Sequence, residues 1–197
     1  MYSFQYQFMP TSVVVAEFDQ TLGSANPDVK IFSLSRNWLT TEKRTRATAS
    51  VYAGKNAIFA APGLGGDFDT TVELRLQHWW TDRFFQVVQS NMGWASDTPV
   101  GTGSWYGLYT VLVYNLTCKW DLMARAEWFN DTRGTRTGFG TNYSEVTLGV
   151  NWHPTRFMEI RPEIRGDFAG ERAFGGAERG PRDYSQLTGG ISALFKF

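Results

Sequence analysis

Residues 157–168 read FMEIRPEIRGDF, and the alternation within this stretch decides the fold. In a β-strand, successive side chains point to opposite faces, so a period of two sorts them onto two sides. Apolar Met158, Ile160, Ile164 and Phe168 fall on one side. From residue 159 onward, the other side carries only ionisable residues, namely Glu159, Arg161, Glu163, Arg165 and Asp167. Because an Arg or Lys in hydrocarbon at the bilayer midplane costs ~2–4 kcal/mol, the charged side must face water.

The same alternation recurs along the chain, in residues 2–8, 72–76, 122–128 and 146–152. It places further charges opposite apolar residues, namely Glu73, Arg75, Arg125, Glu127 and Glu145. Connectors alternate between short ones, as at 81–83 and 117–119, and long polar ones, as at 131–142 and 169–182. Short turns at one end and long loops at the other are typical of outer-membrane barrels. The sequence therefore predicts an all-β, antiparallel transmembrane β-barrel with about eleven strands present, each close to the ~9–11 residues that cross a bilayer.

Composition agrees with this class of protein. The chain has 197 residues, and we expect residues 1–197 to form one barrel domain. Lys plus Arg and Asp plus Glu both number 19, and the resulting net charge of zero argues against nucleic acid as a partner. No apolar stretch approaches the ~20 residues that a membrane helix needs. Cys118 is the single cysteine, so no intrachain disulfide can form.

A soluble β-sandwich is the alternative fold, since its strands alternate too. Sandwich strands usually have about five or six residues, fewer than the segments in this sequence. Met1 is followed at once by a strand-like segment, without an export signal. We therefore expect an N-terminal part of the protein, with at least one further strand, to lie outside this chain, because bacterial barrels usually have an even number of strands.

Tryptophans cluster near the ends of the predicted strands. Rings with an apolar body and a polar tip favour the membrane interface, where barrels carry two aromatic girdles. The alternative is that these rings belong to the core of an ordinary all-β protein. The expected girdle residues are Trp79, Trp80, Trp94, Trp105, Trp120, Trp128 and Trp152.

The last segment, residues 186–197, reads QLTGGISALFKF. Ile191, Phe195 and Phe197 fall on one apolar face, and Phe197 is the terminal residue. A terminal aromatic residue preceded by alternating apolar positions resembles the assembly signal of bacterial outer-membrane proteins. The resemblance implies recognition by the barrel assembly machinery. The alternative is a strand that simply ends the domain.

Three segments carry a resemblance to a known family. They are residues 125–129 followed by Asp131, Gly134 and Arg136; residues 143–149 followed by Pro154; and residues 160–167 followed by the last strand. In these segments the sequence is similar to the putative beta-barrel porin-2 family (OmpL-like). The resemblance implies an outer-membrane pore in a Gram-negative bacterium.

The ten charged residues named above are expected to line a wet lumen. Two interpretations remain open: they filter solutes through a transverse field in a narrow pore, or they form a ladder of ion pairs that holds the strand register. Their mixed signs argue against strong selectivity for anions or for cations. Carboxylates beside arginines favour the ionised form, so Glu159 and Glu163 make a poor catalytic pair.

The sequence predicts a porin that allows passive diffusion of small hydrophilic solutes or ions, and not an enzyme. We expect no cofactor and no catalytic or metal site, because His78 and His153 are too few and too scattered. The expected partners are outer-membrane lipids, the barrel assembly machinery, small solutes and a second copy of the chain. Three other functions remain open: a non-conducting barrel that acts as anchor, adhesin or surface receptor, an outer-membrane enzyme such as a lipase, and a soluble binding module.

Overall fold

The computed structural model describes residues 2–9, 12–19, 31–54, 68–175 and 183–195, with side chains from residue 34 onward. These residues form eleven β-strands. The strands are β1 (Tyr2–Met9), β2 (Ser12–Asp19), β3 (Ile31–Leu39), β4 (Thr45–Gly54), β5 (Phe68–Trp79), β6 (Phe84–Ser96), β7 (Gly103–Thr117), β8 (Trp120–Asp131), β9 (Asn142–Thr155), β10 (Met158–Ala169) and β11 (Ser185–Phe195). The predicted all-β fold is confirmed.

All eleven strands belong to one sheet, in which each strand pairs with its neighbours in the sequence. Every pairing is antiparallel. The order is linear from β1 to β11, and the described residues do not close it into a ring. Within these ranges, the protein has no helix with the length and apolar character needed to cross a membrane.

Connections between the strands alternate in length, as the sequence predicts. Residues 40–44, 80–83, 118–119 and 156–157 form short turns at one end of the sheet, which we call the short-turn end. Residues 97–102 and 132–141 form longer connections at the opposite, long-loop end, where β10 ends and β11 begins. The expected turn at 9–11 and the expected loops at 23–28 and 61–68 lie wholly or partly outside the described residues.

The two faces of the sheet differ in polarity and in exposure. Apolar side chains on one face are open, as for Leu148 at 56% and Ile164 at 51%. Charged side chains on the other face are crowded, as for Glu145 at 4% and Asp167 at 5%. Neighbouring side chains crowd where a sheet is concave, so this contrast indicates that the sheet curves toward its polar face. We call the two sides the apolar face and the polar face.

One irregularity interrupts β10. Its register against β9 shifts between Met158 and Ile160. Pro162 lies in regular register against Ile191 of β11. A proline has no N–H for the ladder, and the pairing with β9 omits Arg161 and Pro162.

Candidate pore-lining face

Strands β8, β9 and β10 carry a connected set of ion pairs on the polar face. Arg125 pairs with Glu127 on its own strand, and its Nε lies 3.5 Å from Oε2 of Glu145 on β9. The Nη2 atom of Arg165 on β10 lies 3.7 Å from the same Oε2 and 2.6 Å from Oδ1 of Asp167. We call these five residues the ion ladder. It brings together half of the residues that the sequence assigns to the lumen.

The register of the strands explains why the ladder forms. Glu127 lies opposite Glu145, and Glu145 lies opposite Asp167, so the acids occupy one row across the sheet. The two arginines occupy the next row, on either side of Thr147. Like charges directly opposite each other are destabilising, and the arginine row offsets this repulsion. The row of acids ends at Gln186 of β11, which donates a hydrogen bond of 3.0 Å to Asp167.

The other predicted lumen residues lie on the same face but apart from the ladder. Arg161 donates a hydrogen bond of 2.7 Å from Nε to Glu159, and this pair lies nearer the short-turn end of β10. Glu163 is exposed and lies opposite Gly149 and Gly190. Glu73 and Arg75 lie on the polar face of β5, which is separated from β8 by two strands.

A second feature of the polar face is the loop that follows β8. Residues 132–141 fold around the carboxylate of Asp131, which is fully buried. Its Oδ1 accepts the backbone N–H of Thr135 at 3.0 Å. Its Oδ2 accepts the backbone N–H groups of Arg136 and Thr137, each at 2.8 Å, and the Thr137 hydroxyl at 3.0 Å. One carboxylate therefore fixes the first half of the 132–141 loop.

This loop places a guanidinium over the polar face at the long-loop end. The Cζ atom of Arg136 lies 4.0 Å from the ring centroid of Trp105, a buried side chain of β7. Burial lowers the pKa of Arg136, whereas the charges of Asp69 and Asp131 raise it. Asp69 is itself a buried residue of β5. The loop thus turns inward and adds a fixed cation to the face that carries the ladder.

Sequence reasoning missed this arrangement. It named Asp131, Gly134 and Arg136 only as residues that match a family, with no structural role. The available signal was an Asp followed by Thr and Gly residues, which are typical of side-chain-capped turns. Gly134 and Gly138 adopt positive φ angles of 70° and 89°, as such turns require.

The expected girdle membership of Trp105 and Trp79 is wrong. Trp105 lies opposite Asp131 and Gly93, and only 3% of it is exposed, so it belongs to the polar face. Trp79 is in register with Phe85 and packs against its ring with centroids 4.8 Å apart, on the face of β5 that also carries Arg75. A girdle ring has to face lipid, and neither of these rings does.

The other five predicted girdle rings are exposed or lie toward the apolar face. Trp94 and Trp128 lie near the long-loop end, and Trp120 and Trp152 lie near the short-turn end. Trp120 and Trp152 stack, with centroids 5.6 Å apart. The indole N–H of Trp80, which follows β5, donates to Gln86 at 2.9 Å. Two levels of rings result, and their contact with a membrane interface stays a prediction.

The expected assembly signal falls on β11. Ile191 and Phe195 lie opposite Pro162 and Met158 and are widely exposed on the apolar face. Phe197 lies outside the described residues. The alternation read from the sequence is therefore present in the part of the segment that the structure describes, and its role in assembly stays a prediction.

At the short-turn end, the polar face carries a His–Asp pair. The Nε2 atom of His153 lies 2.8 Å from Oδ2 of Asp121. Across the described part of the chain, no group of three or more His, Cys, Asp or Glu side chains is placed to hold a metal ion. His78 lies on a different strand, where its Nδ1 is 2.7 Å from the hydroxyl of Thr45.

Comparison with known protein families gives a match over residues 2–197 to the family described as Putative beta-barrel porin-2, OmpL-like. The chain belongs to this porin family. The match covers nearly the whole chain, including the first hundred residues, where the sequence resemblance was weakest. As a member of this family, the porin is a protein of the bacterial outer membrane.

Solved structures of similar fold are outer-membrane proteins. OmpT of Vibrio cholerae aligns with a TM-score of 0.70 at 13% identity, over 98% of this porin and 62% of OmpT. A trimer form of OmpT gives a TM-score of 0.70 at 13% identity, over 98% of this porin and 63% of that chain. The NanC porin aligns with a TM-score of 0.60 at 11% identity, over 99% of this porin and 91% of NanC. Among curated proteins, no sequence matches this porin significantly.

These likenesses concern the fold. The chain spans about three fifths of the length of OmpT, as the 62% coverage shows. The shared feature is the antiparallel β-sheet.

Proposed function

We propose that this porin lines a water-filled channel through which small hydrophilic solutes or ions cross the outer membrane by passive diffusion. The observation that supports the channel is the ion ladder. Five charged side chains form a connected network on the concave face, directly behind an exposed apolar face. The charges of the ion ladder require water on the polar face, and the exposed residues of the apolar face are suited to contact with hydrocarbon.

The channel wall has no strong preference for one sign of charge in this proposal. Arginines and carboxylates alternate in rows, so a passing ion meets both within a few ångströms. All ten ionisable residues assigned to the lumen from the sequence face the channel in this proposal. The 132–141 loop narrows the long-loop end and presents Arg136 to incoming solutes.

Conductance of the purified protein in a planar lipid bilayer tests the channel. Discrete current steps that grow with salt concentration support it. The Glu163→Lys variant reverses an exposed charge on the polar face without breaking an ion pair of the ladder, and it should raise the permeability of Cl⁻ relative to K⁺. Glu42→Lys, in the turn after β3, is the matched control and should leave the ratio unchanged.

Silence in the bilayer would instead support a barrel that acts as an anchor, adhesin or surface receptor. A folded protein without current is recognised by its heat-modifiable mobility in gel electrophoresis. Membership of a porin family favours a channel over an enzyme. We therefore expect no hydrolysis of a chromogenic ester by the purified protein.

Assembly and partners form the last part of the proposal. We propose that Ile191 and Phe195 of β11 engage the barrel assembly machinery, and that the apolar face contacts outer-membrane lipids and, in an oligomer, a second copy of the chain. Phe195→Ala should slow membrane assembly in cells, measured as the appearance of the heat-modifiable form. Phe157→Ala, an equally exposed phenylalanine in the turn after β9, is the control.

A further inference from the structure

A cavity of about 220 Å³ lies on the polar face beside the ion ladder, toward the long-loop end. Acidic residues of the ladder form one side, including Glu127 and Glu145. Three aromatic rings form the other side, those of Phe129, Tyr143 and Phe174. The volume is below that of most drug-sized sites, so it suits a molecule with a single ring.

The charges that line this cavity are unequal. Glu127, Glu145 and Asp167 contribute three carboxylates, whereas Arg165 contributes one guanidinium. Arg125 pairs with two of these carboxylates from outside the cavity, and the acids still exceed the cations when it is counted. The interior therefore favours a ligand with a positive charge over one with a negative charge.

Glu145 adds a negative charge that its neighbours do not fully satisfy with hydrogen bonds. The Glu145 side chain is 5% exposed, and its Oε2 accepts no hydrogen bond from the described residues. The nearest guanidinium atoms, on Arg125 and Arg165, lie at 3.5 and 3.7 Å, beyond the usual range of an N–H···O bond. This oxygen is itself enclosed, so Glu145 acts on a ligand in the cavity through its negative charge and not through a direct hydrogen bond.

The rings supply the complementary surface. The centroids of Phe129 and Tyr143 are 6.4 Å apart, and those of Tyr143 and Phe174 are 6.3 Å apart with the rings nearly perpendicular. The faces of aromatic rings attract cations and accept apolar groups. A ring-bearing ammonium compound therefore matches both walls of the cavity at once.

We propose that this cavity is a binding subsite for small aromatic primary ammonium ions. The proposal rests on the channel function and names the class of solute that the channel wall retains. The ammonium group donates to Glu127 in the electric field of Glu145, and the ring packs on Phe129 and Tyr143. Anions of the same size are repelled, and neutral molecules lose the charge-assisted hydrogen bonds.

Binding in detergent solution tests the subsite separately from conductance. Isothermal titration of the folded protein uses benzylammonium, benzyl alcohol and benzoate, which share a ring and differ in charge. Binding of benzylammonium with weaker or no binding of the other two is the expected result. Glu127→Gln should weaken it about tenfold, as loss of one charge-assisted hydrogen bond implies. Asp121→Asn, a carboxylate on the same face of β8 but outside the cavity, should leave it unchanged.

A second variant addresses the ring wall. Tyr143→Leu removes an aromatic face and should also weaken benzylammonium binding, while heat-modifiable mobility confirms that the variant is folded. Equal binding of all three compounds, or unchanged binding in both Glu127→Gln and Tyr143→Leu, overturns the subsite. Conductance without benzylammonium binding overturns the subsite alone. Binding without conductance overturns the channel and retains the subsite as a recognition site.

Discussion

The guanidinium of Arg136 lies over the indole ring of Trp105, with 4.0 Å between Cζ and the ring centroid. This contact joins the 132–141 loop to β7, and the buried carboxylate of Asp69 on β5 acts on the same guanidinium. A cation–π contact shielded from water contributes up to ~2 kcal/mol. The 132–141 loop, β7 and β5 therefore act together on one cation at the long-loop end of the polar face.

The first prediction concerns selectivity. Arg136→Gln removes a fixed cation near the channel mouth and should shift the permeability ratio toward K⁺, measured from the reversal potential in a KCl gradient. Arg133→Gln is the matched control, because Arg133 belongs to the same loop but is exposed and donates to the backbone oxygen of Val100. An equal shift in both variants would show that only the net charge of the loop matters.

The second prediction concerns the order of the loop. Asp131→Asn replaces an acceptor of three backbone N–H groups by an amide with a single oxygen. We expect the local stability of the loop to fall by about 1–3 kcal/mol, because buried N–H donors lose their acceptor. Amide hydrogen exchange at Thr135 and Thr137 should accelerate accordingly. Asp97→Asn, in the loop after β6, should leave that exchange unchanged. Retained protection in Asp131→Asn would contradict the role of the carboxylate.

The third prediction concerns the space beneath Trp105. A Cβ atom at Gly93 would lie 2.6 Å from Cε2 of Trp105 and 2.6 Å from the backbone oxygen of Thr70. Gly93→Ala should therefore lower the free energy of unfolding by about 1–3 kcal/mol, as overpacking usually does. Urea titration of the protein refolded in lipid vesicles measures it. Gly189→Ala is the control, because a Cβ there meets nothing within 4 Å.

The sequence was sufficient to predict the division into two faces. Val146, Leu148 and Ile164 are exposed on one side, and the carboxylates of Glu145 and Asp167 are crowded on the other, as the period of two requires. This succeeded because side-chain direction in a strand is a local property that follows from position alone.

Three aspects could not be predicted from the sequence. Trp105 and Tyr106 are adjacent, and an uncertainty of one residue in the strand register exchanges their faces. The electrostatic interaction between Asp69 and Arg136 joins residues far apart in the chain, and no local sequence pattern indicates it. The pairing of acids and arginines in successive rows likewise depends on the register between strands, which only the folded sheet fixes.

The fourth prediction tests the apolar face. Leu148→Arg places a charge near the middle of β9 on that face and should lower the free energy of unfolding from lipid by ~2–4 kcal/mol. Asn151→Arg, on the polar face of the same strand, is the control, and its loss of free energy of unfolding should be much smaller. Folding is followed by the gel mobility of unheated samples. Equal losses would argue that both faces of β9 meet water.

The stacked indoles of Trp120 and Trp152 also have an optical consequence. Two indole rings with centroids 5.6 Å apart couple their electronic transitions. The twist between their in-plane transition dipoles should then produce a split circular-dichroism band that exists only while β8 and β9 are in register. The protein thus contains its own label-free spectroscopic reporter, by which the joining of these two strands can be timed separately from the ordering of the loops at the other end.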